Sequence, residues 1–131
     1  MLHKEISRRD MEVAASAVIG TAAYVHYLQL FFLKPTLPTL IAGAVFGSIY
    51  LSLSIGLAKS VRIFYLLGII LPFLGASLAV IRLHLYGFEV FSIINIGFDI
   101  FVVPVCAYLL YKYSGWWKFK TVENVPQEAK N

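Results

Sequence analysis

The chain has 131 residues, of which 60% are hydrophobic and 14% charged, with a net charge of +4. A soluble domain averages about 45–50% apolar and about 25% charged, so this composition leaves no room for a soluble domain beside the apolar segments. One cysteine, Cys106, excludes an internal disulfide and any CxxC redox or zinc motif. The positive groups lie mainly in the two tails and one short loop. No nucleic-acid motif accompanies them, so membrane lipids are the expected partner of this charge and no nucleic acid is expected.

Residues 1–10 form a short polar head with Lys4, Arg8 and Arg9. The first apolar run, Val13 to Leu33, has about the 20 residues a spanning helix needs, and predicts a helix over about 11–33. The basic head and Thr21-Ala22-Ala23 also resemble a signal peptide with its cleavage site. The apolar run continues past that point to Phe32, which favours a retained helix. Ala14, Ala15, Ser16, Ala17, Gly20, Thr21, Ala22 and Ala23 make it rich in small residues, which let helix backbones approach closely in lipid. Glu12, Ala15, Ile19, Ala22 and His26 share one face. Val18-Ile19-Gly20-Thr21 resembles a tetrapeptide in the first helix of the small multidrug transporters, four-helix proteins of similar size. That family places a glutamate one position before it. Here the position is Ala17 and the charge bias also differs, so no residue role is carried over.

Lys34-Pro35-Thr36-Leu37-Pro38 is a tight connection with two turn prolines. The second helix is expected over about 38–58. It contains a GxxxG at Gly43 and Gly47, and a second row of small residues at Ala44, Ser48, Ser52 and Gly56. Gly43, Gly47, Ser52 and Gly56 are therefore helix-packing candidates. Internal seams of a four-helix protein are preferred to a dimer seam, because several such seams must be filled.

Lys59-Ser60-Val61-Arg62 is a short basic loop. The third helix is expected over about 61–85 with a kink at Pro72. Arg82 and His84 lie in its final turns. Tyr86-Gly87-Phe88-Glu89 turns into a fourth helix over about 89–113, with Pro104 inside it. In that helix Ser92, Asn95, Asp99 and Cys106 are spaced three, four and seven residues apart, which puts them on one face. Residues 114–131 read as an interfacial anchor, with Trp116, Trp117 and nearby lysines, followed by a polar tail. The domain reading is thus a head over 1–10, a transmembrane domain over 11–113 and an anchor with tail over 114–131.

Counting Lys and Arg gives the expected orientation. The head, second loop and tail hold nine (Lys4, Arg8, Arg9, Lys59, Arg62, Lys112, Lys118, Lys120, Lys130), and the opposite side holds Lys34 and Arg82. The positive-inside rule then makes both termini cytoplasmic. Short loops make consecutive helices antiparallel, so the expected fold is all-α: a polytopic four-helix up-down bundle.

A carboxylate at the bilayer midplane costs about 2.5–3.5 kcal/mol on insertion scales, so Asp99 should face protein or water rather than lipid. At a rise of 1.5 Å per residue, Arg82 lies about 7 Å from the outer surface, His26 and Asn95 about 10 Å, and Asp99 about 17 Å. Asp99, Asn95, His26 and Arg82 are accordingly the candidate ligand- or ion-binding residues, forming a polar ladder inward. Glu89 is expected to pair with Arg82 or His84. Glu12 and Arg62 lie near the cytoplasmic face and can pair there.

Catalytic motifs are absent: no HExxH, no GxSxG and no glycine-rich phosphate loop occurs. No metal site is expected, and no cofactor either, because His26 and His84 differ by about 6 Å in depth, unsuited to bis-histidine haem. Three functions remain. The first is a non-catalytic subunit or assembly component of a membrane complex, or a homo-oligomer, whose partners are other membrane subunits or its own copies. The second is a small transporter or channel for an ion, proton or small molecule, using Asp99. The third is a membrane enzyme or redox carrier acting on a quinone or lipid.

Overall fold

A computed structural model describes residues 6–34, 36–113 and 115. Lys4, Pro35, Trp116, Trp117, Lys118, Lys120 and Lys130, invoked above, lie outside the described residues. Within them the chain is helical with no strand, and four helices are long and apolar enough to cross a membrane: α1 (Arg8–Phe32), α2 (Leu37–Ala58), α3 (Ile63–Tyr86) and α4 (Val90–Tyr113).

Helix α1 begins three residues before the apolar pattern suggests, inside the expected polar head. Ser7 supplies the reason. Its hydroxyl accepts from the Asp10 backbone N–H at 3.1 Å, and the Asp10 carboxylate accepts from the Ser7 N–H at 3.2 Å. This reciprocal capping satisfies two donors that an α-helix leaves open at its start. Helix α3 ends at Gly87, whose φ of 87° lies in the left-handed region that glycine enters without steric cost. Both α3 and α4 continue as helices through Pro72 and Pro104.

Helix α2 contains a feature that apolar periodicity does not reveal. Residues Ile41–Phe46 form a widened π-helical turn between two α-helical parts. Such turns are rare and often mark functional positions.

Small residues set the helix seams. A Cβ on Gly43 would lie 2.4 Å from Leu30 Cδ2 and 3.0 Å from the His26 carbonyl, and one on Gly47 would lie 2.9 Å from Tyr27. The GxxxG thus faces α1. Gly56 lies under the Phe64 ring of α3, with 2.2 Å from a Cβ to Cγ. Ser52 differs from these three: it is exposed, and its hydroxyl donates to the Ser48 carbonyl in its own helix. Ser16 and Ser54 link α1 and α2 reciprocally, each hydroxyl donating to the other's backbone carbonyl at 2.9 and 2.8 Å. Bonds of this kind average about 0.6 kcal/mol between membrane helices.

Helix α1 is the centre of the bundle. It packs against α2 and α4, while α3 packs chiefly on α4 and only lightly on α2. The most apolar window of α1 is 39% buried, against 17% for α3. Consecutive helices are therefore not equally close neighbours. A shallow groove lined by Ser48, Ser52, Phe64 and Leu71 runs between α2 and α3.

The dry core joins Ala15, Ile19 and Ala22 of α1, Tyr50, Leu53 and Leu57 of α2, Tyr65 of α3, and Val102, Cys106 and Leu109 of α4. It occupies the half of the bundle nearest the start of α1, here the proximal half. The distal half, toward the end of α1 and the start of α4, holds the buried polar side chains Gln29, Thr39, Ser92 and Asn95.

At the proximal end Glu12 is 1% exposed. Its carboxylate accepts from Arg8 Nε at 2.8 Å and from the hydroxyls of Ser60 and Tyr65, and Arg9 lies 3.7 Å away. Tyr65 in turn accepts from Arg8 Nη2 at 2.7 Å. The cluster ties α1 to the 59–62 turn and to α3.

Candidate functional site

All four helices contribute to one cavity of about 80 Å³ in the distal half. The buried face of α4 supplies Ser92, Asn95 and Asp99, the polar stripe read from spacing, all 3–4% exposed. Helix α1 supplies His26 and Gln29, α2 supplies Ala42, Phe46 and Tyr50, and α3 supplies Gly75 and Arg82. Asp99, Asn95, His26 and Arg82, proposed from three separate helices, therefore line a common space. His84 is exposed and lies outside that lining.

Chain direction orders these groups by depth. Helix α1 runs toward the distal end and α4 runs away from it. Gln29 and Ser92 are thus nearest the distal end, with His26 and Asn95 one turn further in. Asp99 lies deepest, where the Tyr50 hydroxyl donates to its Oδ1 at 2.7 Å. The His26 ring packs edge-on to Tyr50, with centroids 5.1 Å apart, and stacks over Phe46 at 6.0 Å. Ala42 and Phe46 belong to the π-helical turn, which forms this part of the wall.

Toward the distal end, Arg82 of the cavity lining forms an ion pair. Arg82 Nε lies 3.1 Å from Glu89 Oε2, and the Ser92 hydroxyl donates to the same oxygen at 2.7 Å. Arg82 lines the inner cavity and also a wider distal vestibule of about 430 Å³, shared with Lys34, Thr36, Thr39, Tyr86 and Glu89. Arg82 is thus shared by the two spaces, and its partner Glu89 lines the vestibule.

Three buried polar atoms of the lining have no hydrogen-bond partner among the described residues: His26 Nδ1, Gln29 Oε1 and Asn95 Oδ1. Buried polar groups are normally paired, and each unpaired one costs about 1–3 kcal/mol. All three face one space, with the Asp99 carboxylate at its floor. Room for water alone needs about 10–15 Å³, which the cavity exceeds several-fold.

Gln29 and Tyr50 are absent from the candidates drawn from sequence. Both had a positional signal. Gln29 lies three residues beyond His26 on the same face of α1, and Tyr50 lies three beyond Gly47 on the face that meets α1. Gly75 is a third such residue. A Cβ there would lie 2.6 Å from the Tyr50 hydroxyl and 3.6 Å from Asp99 Oδ2, so α3 approaches this pair only as glycine. Gly75→Ala is expected to cost about 1–3 kcal/mol through overpacking, read as a lowered thermal midpoint in detergent. An unchanged midpoint would mean that Tyr50 does not sit there.

Among the described residues, no three His, Cys, Asp or Glu side chains come together to hold a metal ion. No protein-family model, curated protein or solved structure matches the chain. The chemistry of the cavity carries the functional reading.

Proposed function

We propose that this chain is a multi-pass membrane protein, with both termini cytoplasmic, that admits a small cation or proton from the outer face to Asp99: a small transporter or channel. One observation carries the reading. Unpartnered buried polar atoms on α1 and α4 surround a cavity floored by Asp99, and Arg82 is shared between it and a distal vestibule. An intramembrane carboxylate facing a bundle interior is characteristic of ion and proton pathways. The nine-to-two distribution of Lys and Arg makes the distal end the outer one. Arg82 and Glu89 then form an outer gate, and the open α2–α3 seam gives α3 freedom to move.

The test is uptake into proteoliposomes of defined lipid composition under an imposed negative-inside potential. Monovalent-cation or proton entry above that of protein-free liposomes is the expected result. Fluxes equal to the protein-free control, with the protein folded and inserted, would remove the reading.

The thin coverage of α3 supports a second reading, a non-catalytic subunit or homo-oligomer. Its exposed surface includes Phe73 at 64%, and the groove beside it is lined by Ser48 and Ser52 of α2. That reading requires a stoichiometric partner, or a second copy, retained on gentle extraction.

A further inference from the structure

We infer that the cavity is a binding site for a small ammonium-type cation: ammonium itself, with methylammonium near the upper size limit. The inference rests on the cation reading of Asp99 above and names the class of cation.

The balance of donors and acceptors comes first. Both hydroxyls that reach the carboxylates are spent: Tyr50 donates to Asp99, and Ser92 donates to Glu89. Arg82 Nε is committed to Glu89. What remains without a partner is His26 Nδ1, Gln29 Oε1 and Asn95 Oδ1 in the cavity, and Glu89 Oε1 beside Arg82. Among the described residues no lysine, arginine or histidine forms an ion pair with Asp99. A buried carboxylate is stabilised by a proton or a compensating cation, and the acceptor atoms above it call for hydrogen-bond donors. A cation bearing N–H groups supplies both at once.

Size comes second. An apolar protein cavity of about 150 Å³ lodges benzene, with its six carbons. The present cavity of about 80 Å³ holds a guest of two or three non-hydrogen atoms by that measure. Drug-sized ligands, which need about 300 Å³ or more, are excluded.

The nature of the wall comes third. Ala42, Phe46, Gly75, Leu78 and Ala79 supply much of it, together with the rings of His26 and Tyr50. A hard metal ion asks for a shell of about six oxygens, which such a wall does not provide. An ammonium ion directs its N–H bonds at a few acceptors and rests against ring faces through cation–π attraction. The gradation of Gln29, then His26 and Asn95, then Asp99 offers it successive acceptors on the way in.

Equilibrium binding of [14C]methylammonium to the full-length protein in nanodiscs tests this. Saturable binding is expected, displaced by ammonium but not by sodium, potassium or tetramethylammonium at the same concentration. Asp99→Asn should weaken binding more than a hundredfold through loss of the charge, and Asn95→Leu about tenfold or more, the usual consequence of losing a hydrogen bond to a charged group, each with helicity and thermal midpoint retained. Gln29→Ala provides an independent variant nearer the distal end, with a smaller loss expected. Ser52→Ala, on the exposed face of α2, should bind as the parent does. Absence of saturable binding by the folded parent would overturn the inference. Displacement by all four cations alike would do the same, because that signals attraction to surface charge. Uptake of sodium or potassium without methylammonium binding would refute the ammonium assignment and leave transport standing. Methylammonium binding without any uptake would refute transport and leave the site.

Discussion

Asp99→Asn is expected to abolish cation uptake in proteoliposomes while the bundle stays folded. Asparagine has nearly the same shape and keeps an oxygen for the Tyr50 hydroxyl, which donates to Asp99 at 2.7 Å. The hydrogen bond and packing at the cavity floor therefore survive. Only the charge is lost, and an isolated buried charge is costly to hold out of water. The thermal midpoint should be unchanged or raised. For a cation seated against this carboxylate, removing one partner of a buried charge pair costs about 3–5 kcal/mol, more than a hundredfold in affinity. Asp99→Glu keeps the charge but adds a methylene to a cavity of about 80 Å³, and should retain part of the flux. Initial uptake rates at matched protein content are the measurement. A parent-like rate in Asp99→Asn would remove Asp99 from the pathway.

The largest loss of stability is expected from Glu12→Ala, far from the cavity. Glu12 is 1% exposed, and Tyr65, which donates to it, is fully buried. Truncation leaves a void, strips the Tyr65 hydroxyl of its acceptor, and leaves Arg8 beside the rings of Tyr65 and Tyr113 without its carboxylate. It also removes the partner of Ser60, which the turn holds at a φ of 57°, a conformation costing about 1–2 kcal/mol for a residue with a side chain. Breaking a buried pair from one side costs about 3–5 kcal/mol. The one-third exposure of Arg8 lets water recover part of that, so about 3 kcal/mol is expected. Glu12→Gln, which keeps an acceptor for Tyr65, should lose less. Unfolding by SDS titration in mixed micelles is the readout. Equal stability of Glu12→Ala and the parent would show that the cluster does not hold the proximal end together.

Much of the architecture was legible from spacing alone. Four long apolar runs gave four helices, with bounds that differ by up to three residues, the largest shift being at the start of α1, where Ser7 and Asp10 cap the helix. The stripe Ser92–Asn95–Asp99–Cys106 emerged as the buried face of α4 because four polar or small positions on one side of an apolar helix have a single sheltered direction. Glu89 proved to pair with Arg82, since a four-residue turn leaves few alternatives.

What spacing did not reveal depends on contacts between helices. The π-helical turn at Ile41–Phe46 changes backbone bonding without changing hydropathy. Tyr50 looks like any apolar-helix tyrosine until its hydroxyl meets Asp99 across the bundle. Gly75 is one more small residue of an apolar helix until α3 is laid against that same pair. The unequal seams, tight between α1 and α2 and loose between α2 and α3, follow from which small residues face which neighbour. A single helix does not encode that.

The cavity itself is best probed through its carboxylate. The chain contains two aspartates, Asp10 and Asp99, so protein labelled with 13C at aspartate gives two carboxyl signals, and Asp99→Asn identifies which is which. Magic-angle-spinning spectra in lipid bilayers would be recorded during titration with ammonium chloride, and with tetramethylammonium chloride at the same ionic strength. The expected result is a saturable shift of the Asp99 carboxyl with ammonium alone, while Asp10 at the helix start responds equally to both salts. An Asp99 signal that stays fixed through both titrations would contradict a cation site at the cavity floor.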